Sequence, residues 1–155
     1  MVEKIQRIDH VGIAVPDLEA AIQRYTALFG RGPDSVSEVP DQEVRVAFFR
    51  AGESRIELLC PTSESSPISG FLAKRGGGIH HICLAVADLD RALAEFKAQG
   101  MRLIDTAPRI GAEGKRIAFV HPQALGGMLL ELCESPRPAP CTPHPHTPHS
   151  GPASD

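Results

Sequence analysis

Residues 8–22 read IDHVGIAVPDLEAAI and residues 79–93 read IHHICLAVADLDRAL. A shift of 71 superposes Ile8 on Ile79, His10 on His81, Ala14 on Ala85, Val15 on Val86, Asp17 on Asp88, Leu18 on Leu89 and Ala21 on Ala92. The same shift lays VRVAF (44–48) on KRIAF (115–119), and three inserted residues bring IEL (56–58) onto LEL (130–132). Repetition on this scale means two copies of one supersecondary unit joined head to tail and sharing a core.

Each copy reads strand, helix, strand, strand, strand. IDHVGIAV is a short apolar run of period two. Asp17 follows as a helix N-cap with Pro16 before it, and Leu18, Ala21, Ile22 and Tyr25 then recur on one helical face until Gly30 stops the helix. Asp88, Leu89, Ala92, Leu93, Phe96 and Gly100 repeat the pattern. VRVAFFRA and SRIELLCP flank the turn signal Gly52-Glu53-Ser54, and RIAFVHP and MLLELCE flank Gly126-Gly127, which predicts one β-hairpin per half. The expected fold class is α+β, with tandem βαβββ modules spanning 7–65 and 78–134 and a linker at 66–77.

Beyond residue 134 the composition changes. SPRPAPCTPHPHTPHSGPASD carries seven of the fourteen prolines and three of the seven histidines, a stretch that builds no core and is expected to be a disordered, partly polyproline tail over 135–155. One domain is therefore expected over residues 1–134. A net charge of -3 without a basic cluster excludes the electrostatic footprint of a nucleic-acid binder or a polybasic membrane patch. No apolar run approaches the roughly 20 residues of a membrane span, and MVEKIQRIDH has no signal-peptide core. Cys60, Cys83, Cys133 and Cys141 show no CxxC spacing, and three sit in apolar runs, which fits reduced thiols. The expectation is a cytoplasmic protein with a small-molecule partner.

Strand parity places the polar residues. Val11, Ile13 and Val15 share a face that must cover the first helix, so His10, Gly12 and Ala14 point the other way; Ile82, Leu84 and Val86 likewise leave His81, Cys83 and Ala85 opposite. Burying Ile56 and Leu58 turns Glu57 away from the helix, and burying Met128, Leu130 and Leu132 does the same for Glu131. A carboxylate between leucines in mid-strand is costly unless paired. Here it occurs twice, each time with a histidine in the first strand of the same half. A lone strand histidine is usually a hydrogen-bonded core residue, and a lone strand glutamate usually faces solvent. One symmetry operation generating both pairs instead predicts a shared divalent cation held by His10, Glu57, His81 and Glu131. Mixed imidazole and carboxylate donors suit cobalt, nickel, manganese, iron or zinc better than calcium. His80, in phase with Ile82, and His121, beside Pro122, read as structural.

These residues resemble a known family. IDHVGIAVPDLE, IELLCP, GIHHICLAVAD and LLELCE resemble the vicinal oxygen chelate (glyoxalase/bleomycin resistance) superfamily, and SSPISGFLAKRGGGIHHICLAV, RLIDTAPRIGAEGKRIAFVHP and GGMLLELCE look like its methylmalonyl-CoA epimerase family over residues 7–134. The resemblance implies a cup-shaped mixed sheet and a metal, cobalt first, on the residues matching His10, Glu57, His81 and Glu131. It also implies a homodimer and an acyl-CoA substrate, methylmalonyl-CoA, epimerised through an enolate in propionyl-CoA catabolism. Epimerisation needs acid/base groups on both faces of the substrate. Glu131 is the first candidate. Some members place a second glutamate where this chain has Val46, so Glu57 is the substitute and Glu43 a weaker one. Some members also have glutamine at the place of Glu57. Gln123 stands where the family has a lysine. Lys74, Arg75, Lys115 and Arg116 are candidates for coenzyme A phosphates, and equally for a solvated surface. The alternatives are a glyoxalase I-type glutathione hemithioacetal isomerase and a metal-free antibiotic-sequestering protein of the same fold.

Overall fold

The computed structural model describes residues 5–135. The expected tail lies outside the described residues, apart from Ser135. Eight strands and two of the three helices follow the predicted order, and a third helix, α2, joins the halves: β1 (Ile5–Ala14), α1 (Leu18–Phe29), β2 (Ser35–Val39), β3 (Val44–Ala51), β4 (Ser54–Pro61), α2 (Pro67–Arg75), β5 (Gly78–Val86), α3 (Leu89–Ala98), β6 (Arg109–Ile110), β7 (Arg116–Val120) and β8 (Leu130–Glu134). All strands join one curled mixed sheet in the order β2-β3-β4-β1-β5-β8-β7-β6. That order is a palindrome of the two halves. Each half runs outward from its first strand, with β1 parallel to β4 and β5 parallel to β8, and β1 and β5 meet antiparallel at the centre.

Local chemistry starts both long helices in the same way. The Asp17 carboxylate accepts from the Ala20 amide at 3.1 Å, and the Asp88 carboxylate accepts from the Arg91 amide at 3.0 Å, satisfying amides that the first helical turn leaves unpaired. The helices cover the convex side of the sheet. Leu18, Ala21, Ile22, Tyr25 and Phe29 of α1 meet Ile13, Ala47, Phe49, Ile56 and Leu58. Leu89, Ala92, Leu93 and Phe96 of α3 meet Leu84, Val86, Ala118, Val120, Leu130 and Leu132. Phe49 is fully buried, with ring contacts to Tyr25 and Phe29. Phe49→Ala should therefore cost about 3–5 kcal/mol, seen as a lower urea midpoint with the slope unchanged.

The segment expected only to link the halves is helical. Ser66 accepts from the Ile68 amide and Pro67 occupies the first turn, a start signal of the usual kind. Ile68, Phe71 and Leu72 of α2 then fill the concave face of the first half, against Ala14, Val39, Val44, Val46, Phe48 and Leu59. Met128, expected in the core, is 38% exposed. Gly126 and Gly127 have positive φ and hold the chain out of the ladder until Leu130. Among the described residues no helix is long and apolar enough to cross a membrane.

Candidate metal centre

The register of the four central strands determines what faces the concave side. One row across the sheet is Glu57 on β4, Gly12 on β1 and His81 on β5; the next is His10 on β1, Cys83 on β5 and Glu131 on β8. The rows exchange under the pseudo-twofold axis between β1 and β5, so each brings one histidine and one glutamate toward the same point. Duplication thus yields a four-residue cluster from a two-residue pattern.

The cluster is tight and dry. His10, Glu57, His81 and Glu131 are all at most 6% exposed. His10 Nε2 lies 3.2 Å from His81 Nε2, 3.3 Å from a Glu131 oxygen and 3.7 Å from a Glu57 oxygen. His81 Nε2 lies 2.9 Å from Glu131 and 3.5 Å from Glu57. Donors about 2.1 Å from one ion are separated by about 3.0 Å in an octahedron and about 3.4 Å in a tetrahedron, and the observed spacings bracket these values. His10, Glu57 and His81 form a group whose ligand atoms lie within 4.8 Å of one another and could hold a metal ion.

Electrostatics agree with a site built for positive charge. Burial pushes the His10 imidazolium toward losing its proton, yet hydrogen bonds to Asp9 and Glu131 and the nearby Glu57 charge prevail and hold its pKa up at about 10. Burial alone would raise Glu131, but the hydrogen bonds from His10 and His81 outweigh it and bring its pKa to about 2. Glu57, without such a hydrogen bond, is raised by burial. Protons therefore supply the positive charge that two buried carboxylates demand, a demand a divalent cation meets more fully.

Two neighbours that strand parity did not single out touch the histidines. Asp9, 3% exposed, accepts from His10 Nδ1 at 2.8 Å. The chain shifts register against β5 between Ile8 and His10, so two consecutive residues are buried where simple alternation would expose one. His80, expected to be structural and on the helix side, places Nδ1 3.0 Å from His81 Nδ1 and its ring against Phe71. Burial and the adjacent His81 lower its pKa to about 4, which keeps it neutral. His121 is structural as expected and accepts from the Gln123 amide at the start of a short turn.

The remaining candidates fall elsewhere. Val46 is 1% exposed within the apolar cluster under α2. The Glu43 carboxylate accepts from the Ser65 hydroxyl at 2.8 and 3.0 Å. Arg116 pairs with Asp90 and Glu134, Gln123 accepts from Arg102, and Lys115 lies 3.8 Å from Asp9. Lys74 and Arg75 end α2 on an exposed surface, with the Arg75 guanidinium over Phe71. A cavity of about 530 Å³ reaches His81, bordered by Arg75, His80, Met128 and Leu129. A second, of about 290 Å³ with apolar walls, lies beyond His80 and Phe119, and Phe119 stands edge-on to His81.

This fold and donor cluster define a class of protein in which duplicated βαβββ halves close around one buried polar centre. The family model of the Glyoxalase/Bleomycin resistance protein/Dioxygenase superfamily matches residues 9–119. The ethylmalonyl-CoA/methylmalonyl-CoA epimerase of Cereibacter sphaeroides is 45% identical over 130 residues, which cover 83% of this chain and 97% of that one. The crystal structure of methylmalonyl-CoA epimerase from Mycobacterium tuberculosis superposes with a TM-score of 0.82 at 38% identity, covering 89% of this chain and 93% of that one. A Streptomyces coelicolor methylmalonyl-CoA epimerase variant in complex with 2-nitronate-propionyl-CoA superposes with a TM-score of 0.80 at 38% identity, covering 85% and 96%. The chain belongs to the glyoxalase/bleomycin resistance superfamily and, within it, to the methylmalonyl-CoA epimerase family.

Proposed function

We propose that this protein is a metal-dependent isomerase that interconverts (R)- and (S)-methylmalonyl-CoA by moving the proton on the carbon between the thioester and the carboxylate. The observation that carries the reading is the convergence of two buried histidines and two buried glutamates, in a chain whose relatives are epimerases of this substrate. His10, Glu57, His81 and Glu131 would hold the ion, and a bound divalent cation supplies Lewis acidity where negative charge develops on the thioester oxygen. Glu131 and Glu57 approach the centre from opposite halves, which suits them to exchange the α-proton on opposite faces of the substrate. The cavity at His81 gives the acyl group a way in, with Arg75 at its rim available to a coenzyme A phosphate.

Mixed nitrogen and oxygen donors support a first-row ion, and the family resemblance puts cobalt first. The reading is completed by a homodimer on the strength of the family resemblance, and by a cytoplasmic location and a single domain over residues 1–134 on the strength of the sequence composition. The relatives and structures above favour epimerisation over a glutathione hemithioacetal isomerase or a metal-free sequestering protein. The test is loss of the substrate α-proton to deuterated solvent, followed by NMR with and without added Co²⁺. Exchange should need the metal and vanish in His10→Ala. Exchange that persists without metal and in His10→Ala would refute the reading.

A further inference from the structure

The sequence stretch most specific to this family, PRIGAEGKRIAFVHP at 108–122, contributes none of the four donors. The structure shows what part of it touches. Glu113, from the short turn Ala112–Gly114 of the second half, reaches across to the first half, where Arg55 Nη1 donates to both of its oxygens at 3.0 and 2.9 Å. The other end of the same guanidinium, Nη2, donates to Asp9 Oδ2 at 3.1 Å, and that oxygen also accepts from His10 Nδ1. The second Asp9 oxygen accepts from Arg7 at 3.3 Å and has the Lys115 ammonium at 3.8 Å. Arg55 Cζ itself lies over the Phe48 ring, 4.0 Å from its centroid, and Phe48 stands edge-on to the His10 ring.

We propose that Asp9 is a positioning residue for the metal centre and that Arg55 and Glu113 lock it in place, so that the 112–114 turn of one half sets the aim of His10 in the other. The proposal rests on the metal reading above. An imidazole that donates Nδ1–H to a carboxylate presents its Nε2 lone pair in a fixed direction, and outer partners of this kind account for much of a site's affinity. Asp9 can serve only if it cannot turn. A carboxylate that accepts from His10, Arg55 and Arg7 at once has no other orientation of comparable energy.

Two details indicate that the chain maintains this linkage at some cost. Glu113 sits at φ 59°, a left-handed conformation that a residue with a side chain rarely adopts. Its side chain is tied down there by Arg55 and by the Ser35 hydroxyl at 3.0 Å. The twofold-related histidine, moreover, lacks such support: His81 Nδ1 faces the His80 imidazole rather than a carboxylate. Duplication made the donors equivalent, and their surroundings have diverged. The anchored histidine is His10.

The measurement is Co²⁺ affinity by calorimetric titration, with the visible Co²⁺ spectrum and circular dichroism recorded on the same full-length samples. Asp9→Asn should weaken Co²⁺ binding about 10- to 100-fold and alter the Co²⁺ bands. Arg55→Lys, which keeps the charge but loses the two-ended fork, should do so more mildly, and Glu113→Gln more mildly still. Phe49→Ala, destabilised but distant, should leave the affinity and spectrum of the folded protein unchanged, which separates positioning from general loss of stability. If Asp9→Asn folds and binds Co²⁺ within twofold of the unsubstituted protein with unaltered bands, the proposal is overturned. Should that variant fail to fold, unchanged affinity and bands in both Arg55→Lys and Glu113→Gln would overturn it equally. An unsubstituted protein that takes up no Co²⁺ would instead remove the metal reading, and the positioning role with it.

Discussion

Glu131→Gln, assayed with saturating Co²⁺, should slow interconversion of the two enantiomers about 10²- to 10⁴-fold, the range that a positioned acid/base group supplies, while leaving fold and stability close to those of the parent. Glutamine keeps the volume and one carbonyl acceptor, so the contacts with His10 and His81 retain a partner. What is lost is a basic oxygen beside the substrate. Glu57→Gln should produce a comparable loss, because among the described residues no other carboxylate near the centre is free to act as the second base. Val46 occupies an apolar pocket, Glu43 is held by Ser65, and Asp9 is committed to His10 and Arg55. The two variants should also differ in a way that a shared structural defect would not reproduce. With one base removed, the remaining one still takes the proton from a single face. Each variant should therefore exchange one enantiomer of the substrate with solvent deuterium while interconversion stops, and the enantiomer retained should be opposite in the two. Separation of the acyl-CoA enantiomers before and after exposure to deuterated buffer reads this directly. The same enantiomer retained in both variants would assign the two faces to a different pair of groups.

How far such a site is legible in a single sequence follows from which forces are local. The aspartate caps and the alternation along β1, β4, β5 and β8 are each written within about ten residues, and with the 71-residue repeat they suffice to place His10, Glu57, His81 and Glu131 on the concave face. The two rows that bring them together add only the strand order, which the duplication and the parallel connections inside each half already imply. Asp9 and His80 were not legible for the opposite reason. Each depends on a register shift between β1 and β5, a property of two strands at once that no periodicity in either one records. Arg55 and Glu113 are 58 residues apart, and neither shows in the sequence as more than a surface charge. The helix in the linker is a different case. Ser66 and Pro67 carry an ordinary start signal, but the short apolar pattern that follows forms a helix because the concave face of the first half gives Ile68, Phe71 and Leu72 something to cover. Counting alternation back from Leu130 puts Met128 in the core, but the strand has not yet begun there, just after the Gly126-Gly127 pair.

Gly12→Ala should cost the protein its metal. Gly12 lies between Glu57 and His81 in one row of the sheet, and the His81 imidazole rests on its Cα. A β-carbon there would stand 2.1 Å from His81 Cε1, 2.5 Å from Nδ1 and 2.6 Å from Nε2, well inside contact distance for three atoms of one ring. The backbone at Gly12 cannot retreat, because it is paired on both sides, to β4 and to β5. Nor can the ring move aside freely: it is 2% exposed, with His80 3.0 Å from its Nδ1, Phe119 edge-on to it and His10 at its Nε2. One methyl group must therefore turn His81 out of the cluster or push β1 and β5 apart. Overfilling of this kind costs about 1–3 kcal/mol of stability, which a protein of this size should survive as a folded molecule. The effect on metal should be far larger in proportion, exceeding the ~10–100-fold loss caused by removing an outer partner, because the group displaced is a donor itself. The twofold-related position is Cys83, where a side chain is already accommodated beside His10, so Cys83→Ala should leave metal content near that of the parent. Metal analysis of the three purified proteins, with circular dichroism to confirm folding, makes the comparison. A folded Gly12→Ala protein with full metal content and full exchange activity would mean that His81 does not hold the ion over Gly12, and the four-donor centre would have to be redrawn without it.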